Sequence, residues 1–359
     1  MKLIVLLLLL SISSPVLAED NVKSKVDPRV ELFSIIFRLA GNPEYNMNFA
    51  KTYVKDIHVY FDPYKNDPVV QFAKELAEKK NIGFSKVMFL AVQLKFKNNE
   101  LIRVKESANS LNDKWTEADA NRFVKLANTF YKTTKFSDFF DAHKEVYAEA
   151  TEAFDQSVNE FDKNWYLNYY GDHEVDYQVV IGLANGGANY GPSVMPVGGK
   201  KMVYAIMGSW TFNEKSKPLY PKDVYLTYLI HEFNHSFIDH LLDHKDFKVG
   251  LERSGKILLQ KEEKKLNAEG YDDWHSVINE SLVRACVVRY MMDHHESDNA
   301  VQAEISKQTD KGFLWTAELV KLFGNYETSR SQFPSFEKFY PMIITKINEL
   351  TESAKPSDK

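Results

Sequence analysis

Apolar positions recur at helical spacing through the first half of the chain. Between residues 27 and 170 they lie three and four apart, which is the periodicity of amphipathic α-helices. RVELFSIIFRLAG stops at Gly41, and DPVVQFAKELAEKKNIG begins with an Asp-Pro capping signal and ends before Gly83. The same spacing predicts one long amphipathic helix in FSDFFDAHKEVYAEATEAFDQSVNEFDKNWYLNYYG, closed by Gly171. We therefore expect a helical N-terminal region over residues 19–170.

The pattern changes after Gly171. VDYQVVIGLA and KKMVYAIMGSW alternate and are rich in β-branched residues, whereas NGGANYG between them supplies turn residues. Helical spacing returns at about residues 222–243, 249–267 and 274–294, with more helices toward the C-terminus. The chain is thus predicted to be α+β and predominantly helical, with a small sheet. We expect a second region over residues 171–352 and a short polar tail over 353–359.

The extreme N-terminus has the pattern of a secretory signal peptide. MKLIVLLLLLSISSPVLAED contains a basic Lys2, an apolar stretch and a small-residue approach to Ala18, which predicts a signal peptide over residues 1–18. The alternative, an uncleaved membrane anchor, is disfavoured because the apolar run is shorter than the roughly 20 residues of a transmembrane helix. We expect an exported protein, periplasmic or secreted, with no membrane span after signal removal.

Composition and charge narrow the class of protein. With 359 residues, of which 44% are hydrophobic, the chain can bury a sizeable core. Its 45 basic and 50 acidic residues give a net charge of −5, so nucleic acid is not an expected partner. The single cysteine, Cys286, excludes an intrachain disulfide and is expected to be a small buried apolar residue.

The segment YLIHEFNHSFI carries the candidate chemistry. On a helix, His231 and His235 project from one face and can bind the same ion, while Glu232 lies close enough to act on a metal-bound water. Zinc takes such imidazole ligands, keeps one position open for water and lowers the pKa of that water to about 7. The surrounding apolar residues predict a buried helix, in which His and Glu are costly unless paired or metal-bound. We therefore predict a metal site here.

A second apolar helix offers the third ligand. The longer signature, with glycine and histidine after the second histidine, is absent because Ile238 and Leu241 occupy those positions. Glu280 lies within WHSVINESLVRACVVRY, where a buried acid needs a partner. Glu280 could instead pair with Arg284 at i+4. Both can hold, with Arg284 supporting the ligand from behind.

These motifs resemble two groups of proteins. HEFNH followed by the NESLVRA helix resembles the gluzincin zinc metallopeptidases, in which the third ligand is a glutamate on a later helix. ELFSIIFRLAGNPEY, ANYGPS, HEFNHSF and NESLVRA together resemble a family of secreted bacterial proteins of unknown function with a predicted peptidase motif. The resemblance implies a zincin-like catalytic region in which His231, His235 and Glu280 hold one catalytic Zn²⁺. It also implies Glu232 as the general base and a peptide or protein as the substrate.

The gluzincin resemblance also implies an edge strand that binds extended peptide beside the metal helix. The candidate is LANGGANYGPSVM, with Asn185, Asn189 and Tyr190 expected to be exposed near the cleft. An ordinary glycine-rich hairpin turn is the alternative.

The residue that stabilises the oxyanion is left open among Tyr290, Tyr326 and His275. We expect an exported zinc metallopeptidase. The alternatives are a catalytically degenerate zinc-binding or scaffold protein, and a zinc hydrolase of a non-peptide amide or ester.

Overall fold

The structure is a computed structural model, and it describes residues 22–104, 115–171 and 174–352. The predicted signal peptide and the predicted polar tail lie outside these ranges. Within them, no helix is both long enough and apolar enough to cross a membrane.

The described chain is predominantly helical with a small mixed sheet, as predicted. Its first half contains eight helices in the described ranges: α1 (Pro28–Leu39), α2 (Lys51–Phe61), α3 (Pro68–Lys80), α4 (Ser85–Val92), α5 (Glu117–Thr133), α6 (Phe136–Ala142), α7 (Lys144–Ser157) and α8 (Lys163–Tyr170). Single 3₁₀ turns follow α1 and α2 at Pro43–Tyr45 and Asp62–Tyr64.

Capping residues explain where the early helices begin. The side chain of Asp27 accepts a hydrogen bond from the backbone N–H of Arg29, and Asp67 accepts one from Val69. In each case a proline follows the cap at the first helical position, where its missing N–H costs nothing. The Asp-Pro signal before α3 is therefore confirmed as a helix start.

The prediction of one long helix closed by Gly171 is wrong, because the segment forms α6, α7 and α8. The first break, between α6 and α7, lies at His143. Its backbone is not helical, and its Nδ1 lies 2.8 Å from the carbonyl oxygen of Phe139. At the second junction Asp162 caps α8 by accepting from the N–H groups of Asn164 and Trp165. Local side-chain bonds to the backbone compete with helix continuation, and apolar spacing alone does not register them.

The main sheet has four strands in the order β1, β4, β6, β5. They are β1 (Ser24–Lys25), β4 (Asp176–Gly182), β5 (Ser193–Val194) and β6 (Met202–Gly208), with β5 at one edge. β4 runs parallel to both β1 and β6, whereas β5 is antiparallel to β6. A separate antiparallel hairpin consists of β2 (Leu94–Lys97) and β3 (Glu100–Arg103). Because β4 and β6 are parallel, the glycine-rich segment between them is not a hairpin turn.

The second half returns to helices, which pack around a central one. They are α9 (Lys222–Ile238), α10 (Lys245–Lys261), α11 (Glu263–Ala268), α12 (Trp274–Asp293), α13 (Asp298–Asp310), α14 (Thr316–Thr328) and α15 (Phe336–Glu352). α12 packs against α9, α10, α13 and α14, while α9 also packs against β6. Cys286 is fully buried in α12, as expected.

The core is continuous through the described chain. One cluster of buried apolar side chains includes residues of the early helices, the sheet and the later helices. β1, which precedes α1, pairs with β4 beyond residue 171, so the two predicted regions share one sheet. The boundary near residue 171 stays a prediction.

Candidate metal centre

The middle of α9 places the two histidines of the motif on one face. His231 and His235 are separated by one helical turn, and their Nε2 atoms lie 3.2 Å apart. The opposite face of α9 is apolar, and Phe233 packs there against the rings of Phe161 and Tyr177. This burial fixes the rotation of the helix and so the direction in which both imidazoles project.

Glu280 reaches the same point from α12. Its Oε2 lies 3.4 Å from Nε2 of His231, and its Oε1 lies 3.4 Å from Nε2 of His235. Within the described residues, these three form the group of potential ligands that converge closely enough to hold an ion. The structure therefore brings together the three predicted ligands, which come from two helices well separated in sequence.

Asn234, inside the motif, holds the two helices in this relation. It is fully buried, and its amide nitrogen donates to the carbonyl of Val283 on α12 at 3.3 Å. Its amide oxygen accepts from the hydroxyl of Tyr170 at 2.9 Å. Because the nitrogen and the oxygen of this buried amide are both hydrogen-bonded, it fixes the register of α9 against α12.

His235 is oriented by a carboxylate behind it. Its Nδ1 lies 3.1 Å from both carboxylate oxygens of Asp239, four residues later on the chain. An Nδ1–H that donates to Asp239 leaves Nε2 as a lone-pair donor toward the centre, an arrangement that recurs behind metal-binding histidines. Burial opposes the charged imidazole, but Asp239, and then Glu280 and Glu232, raise the pKa of His235 to about 10. Burial, together with the charge on His235, lowers the pKa of His231 well below its usual value.

Arg284 and Tyr271 lie next to Glu280. Nη2 of Arg284 lies 2.9 Å from Oε2 of Glu280 and donates to the hydroxyl of Tyr271 at 3.0 Å, while Nη1 donates to Gln308 at 2.6 Å. The guanidinium also lies over the ring of Phe313 at 4.4 Å. Both the predicted pairing of Arg284 with Glu280 and its place behind the ligand set are therefore present. Burial and the charge of Glu280 raise the pKa of Tyr271, so its phenol stays protonated.

Glu232 is buried one position after His231, against the glycine-rich segment. A methyl group added at Gly191 would lie 2.0 Å from the carbonyl oxygen of Glu232 and 3.1 Å from Cβ of His235, so only glycine permits this approach. Ser236 also donates to the carbonyl of Gly191 at 3.4 Å. Burial raises the pKa of Glu232 to about 8, with Glu280 adding to the rise and His235 opposing it.

The three converging groups match the requirements of a tetrahedral zinc ion. Ligands at about 2.0–2.2 Å from zinc are separated from one another by about 3.3–3.5 Å in tetrahedral geometry. The observed separations are 3.2, 3.4 and 3.4 Å. Oε2 of Glu280 is buried and accepts no hydrogen bond of normal geometry from the described residues, although Arg284 is near. Two imidazoles and a carboxylate are also the ligand set of catalytic zinc sites.

The glycine-rich segment lies where it was predicted, beside the metal helix, but its side chains differ from expectation. Asn185 and Tyr190 are buried, so the expectation that they are exposed is wrong for both. The reason is that the segment passes under the Pro43–Tyr45 turn, whose Glu44 carbonyl closely approaches Gly186. Asn189 is half-buried and accepts from the N–H of Gly208 at 2.9 Å. Their assignment to substrate binding stays a prediction.

Two of the three candidates for oxyanion stabilisation, Tyr290 and Tyr326, form hydrogen bonds with α8 and its cap. The hydroxyl of Tyr290 accepts from the backbone N–H of Asp162, the cap of α8, at 2.7 Å. Tyr326 donates to the carbonyl of Tyr169 on α8. His275 lies in the first turn of α12 with its ring edge against Trp274. The phenol beside Glu280 is instead that of Tyr271.

Three residues that contact the ligands or join their helices were not predicted from the sequence: Asp239, Asn234 and Tyr271. Asp239 could have been predicted, because an acidic residue four positions after a ligand histidine on a helix lies on the same side of that helix. Asn234 was harder to predict: a polar residue inside an apolar helix needs hydrogen-bond partners, but the pattern does not say which. Tyr271 precedes α12 in a loop, where no periodicity relates it to Glu280.

The comparisons with known proteins identify a family but no activity. The chain matches the family described as Domain of unknown function (DUF4932) over residues 22–346, and it therefore belongs to that family. No curated protein and no solved structure matches the chain.

Proposed function

We propose that this DUF4932 protein is an exported zinc-dependent peptidase of the gluzincin type. The observation that carries the proposal is the convergence of His231, His235 and Glu280 at separations of 3.2, 3.4 and 3.4 Å, with the buried Glu232 beside them. A zinc ion held by these three groups would retain one open position and supply an acidic water near neutral pH.

The chain's own residues divide the remaining work. Glu232 is one step around the helix from His231, which suits a base that takes the proton of the attacking water and passes it to the leaving amine. Asp239 holds His235 in the tautomer that presents Nε2. Arg284 neutralises part of the charge of Glu280 and fixes its carboxylate.

Tyr271 is the residue that we assign to oxyanion stabilisation. Its oxygen accepts from Arg284 at 3.0 Å, and its own O–H remains as a donor on the side of Glu280. Its raised pKa keeps that proton in place at working pH. A preorganised donor next to the ligands stabilises charge that develops on the substrate carbonyl.

The edge of the sheet supports an extended substrate. β5 is the last strand in the sheet order, and the backbone of Tyr190 exchanges hydrogen bonds with Ile206 at 2.9 and 2.8 Å just before it. Gly191 in the same segment touches the backbone of Glu232. A peptide added to this edge would cross the face of α9 that bears the histidines.

The test combines metal content with turnover. The mature chain, purified without chelator, should contain about one zinc per molecule by elemental analysis and should cleave a denatured protein or a mixed peptide library. Glu232→Gln should retain the zinc and lose turnover, because an amide keeps the shape but cannot take a proton.

Two outcomes would contradict the proposal. Zinc content near zero that added zinc does not restore would exclude the metal centre. One bound zinc with no cleavage of any peptide would favour the scaffold alternative, unless small amide or ester substrates were hydrolysed, which would identify the third candidate.

A further inference from the structure

We propose that a rigid apolar shelf formed by Met47, Phe49, Trp210 and Tyr228 receives an aromatic or aliphatic side chain of the substrate. This inference rests on the proposed peptidase function and adds its side-chain preference. Met47 and Phe49 lie in the loop before α2, Trp210 lies in the loop after β6, and Tyr228 lies on α9. Met47 and Phe49 are 38% and 41% exposed, so both side chains can contact a ligand.

The shelf is assembled around Gly187. A methyl group added there would lie 3.0 Å from the ring of Phe49, 3.6 Å from the sulfur of Met47 and 3.6 Å from Cβ of Trp210. The glycine thus lets three apolar side chains from two segments meet with no side chain between them. An apolar surface results, with the backbone of Gly187 beneath it.

Buried polar groups hold the exposed part of the shelf in place. Arg38 is 3% exposed, and it donates to the side chain of Asn48 at 2.7 Å and to the carbonyl of Met47 at 3.5 Å. Asn46 donates to the carbonyls of Arg38 at 3.0 Å and Asn42 at 2.8 Å. Because the buried Arg38 holds this surface segment, Met47 and Phe49 are already in place before a ligand binds. This preorganisation lowers the entropy cost of binding.

The shelf is continuous with the metal centre through α9. Trp210 stacks on Tyr225 at 4.2 Å and meets the ring of Tyr228 edge-on at 5.6 Å. Tyr228 lies three residues before His231 and four before Glu232, so all three share one face of the helix. The other connection runs along the backbone from Gly187 to Gly191, which contacts Glu232.

These connections specify the occupant and its position. Gly187 and Gly191 are four residue steps apart and so at most about 13 Å, a distance that an extended peptide crosses in about four residues. A peptide on the sheet edge would alternate its side chains, and every second one would face the shelf. The shelf therefore favours substrates with a large apolar residue within about four residues of the cleaved bond.

The experiment measures peptide binding separately from cleavage. Zinc-loaded Glu232→Gln protein is titrated into fluorescent peptides that differ only in carrying Phe or Ser at successive positions, and binding is followed by anisotropy. We expect a Phe-containing peptide to bind more tightly at one or two positions. Adding Phe49→Ser should weaken that binding about tenfold and leave the Ser peptide unchanged.

Met342→Ser is the matched control, because Met342 on α15 is similarly exposed, at 43%. Equal binding of the Phe and Ser peptides, or an unaltered preference in Phe49→Ser, would overturn the shelf while cleavage by the wild type still supported the peptidase. A wild-type chain that neither binds nor cleaves any peptide would overturn both. A dimer that Phe49→Ser converts to a monomer would instead identify the shelf as a contact between copies.

Discussion

Glu31 in the N-terminal helices and Glu280 in α12 are both buried carboxyl groups, and the protein satisfies them differently. Glu31 is fully buried and accepts from the hydroxyl of Tyr53 at 2.7 Å and from the backbone N–H groups of Leu183 at 2.9 Å and Ala184 at 3.2 Å. Glu280 faces two imidazoles and an arginine, and its Oε2 accepts no hydrogen bond of normal geometry from the described residues.

The difference separates a structural carboxyl from a candidate ligand. Glu31 uses neutral donors to fasten the chain after β4 to α1, so every contact is complete within the protein. Glu280 faces two imidazole nitrogens that can each carry a lone pair, and these three groups need a shared cation or proton to lie so close together. Burial alone therefore does not identify a functional acid; the chemistry of its neighbours does.

The largest expected effect is on zinc affinity in Glu280→Ala. Removing one of three protein ligands should weaken zinc binding by more than about a hundredfold, since loss of a residue behind a ligand already costs 10- to 100-fold. The affinity is measured by competition with a chromophoric chelator, alongside the melting temperature with and without zinc, because bound metal stabilises the folded state.

Glu327→Ala is the control, since Glu327 is a half-buried glutamate on α14 that pairs with another arginine of α12, Arg289. It should bind zinc as tightly as the wild type. If Glu280→Ala did the same, Glu280 would only pair with Arg284, and its resemblance to Glu31 would be complete.

Glu31→Ala should have the opposite profile. It leaves two backbone N–H groups and a tyrosine hydroxyl without their acceptor, which costs about 2–4 kcal/mol of unfolding free energy. Zinc affinity of the folded protein should be unchanged. Urea denaturation measures the loss, and Glu75→Ala on the exposed side of α3 should stay within about 0.5 kcal/mol of the wild type.

Loss of zinc affinity in Glu280→Ala, together with loss of stability but not of zinc affinity in Glu31→Ala, would confirm that the two carboxyl groups have different roles. A Glu31→Ala protein that folded normally but lost zinc would place Glu31 in the machinery of the centre and end the comparison.

Glu31 should also make stability depend on pH. Burial raises its pKa to about 7, against the opposing hydrogen bonds from Tyr53 and the backbone, compared with 4.5 for an ordinary glutamate. The folded state therefore binds this proton more tightly than the unfolded state, so its contribution is fully present below about pH 4.5 and is lost as pH rises toward about 7. The loss should amount to about 3 kcal/mol.

The comparison of wild type with Glu31→Gln isolates this contribution, because glutamine does not titrate. The difference in unfolding free energy, measured by urea denaturation at intervals from pH 4.5 to 8, should shift in favour of Glu31→Gln as pH rises. A difference that is constant across this range would mean that Glu31 is ionised throughout.

Local patterns predicted much of this fold and site. Helical spacing and Asp-Pro caps located α1, α3, α9 and α12, and the four-residue spacing of His231 and His235 predicted their common face. Glu280 could be selected because an acid within an apolar helix needs a partner. Each of these inferences uses information that lies within one or two helical turns.

What failed depends on contacts between distant segments. Packing between distant parts of the chain sets the parallel pairing of β4 with β6, the contact of Gly186 with the Pro43–Tyr45 turn and the place of Tyr271 beside Glu280. The breaks that divide α6, α7 and α8 are local, but they depend on side-chain bonds at His143 and Asp162 that override apolar spacing.

The smallest expected effect concerns the carboxylate behind His235. Asp239→Ala removes the acceptor of the Nδ1–H, so the ring loses its fixed tautomer and some basicity, and zinc affinity should fall about tenfold. Asp239→Asn keeps an acceptor but not the charge, and its affinity should lie between those of Asp239→Ala and the wild type. Asp243→Ala, on the same exposed turn, is the control. Because Asp239 acts through His235, neither variant should change the number of zinc ions bound at saturation. Equal zinc affinity in Asp239→Ala, Asp239→Asn and Asp243→Ala would show that packing alone orients His235. The side chain of His235 would then be held without a charged partner, as Glu31 is held by its neutral donors.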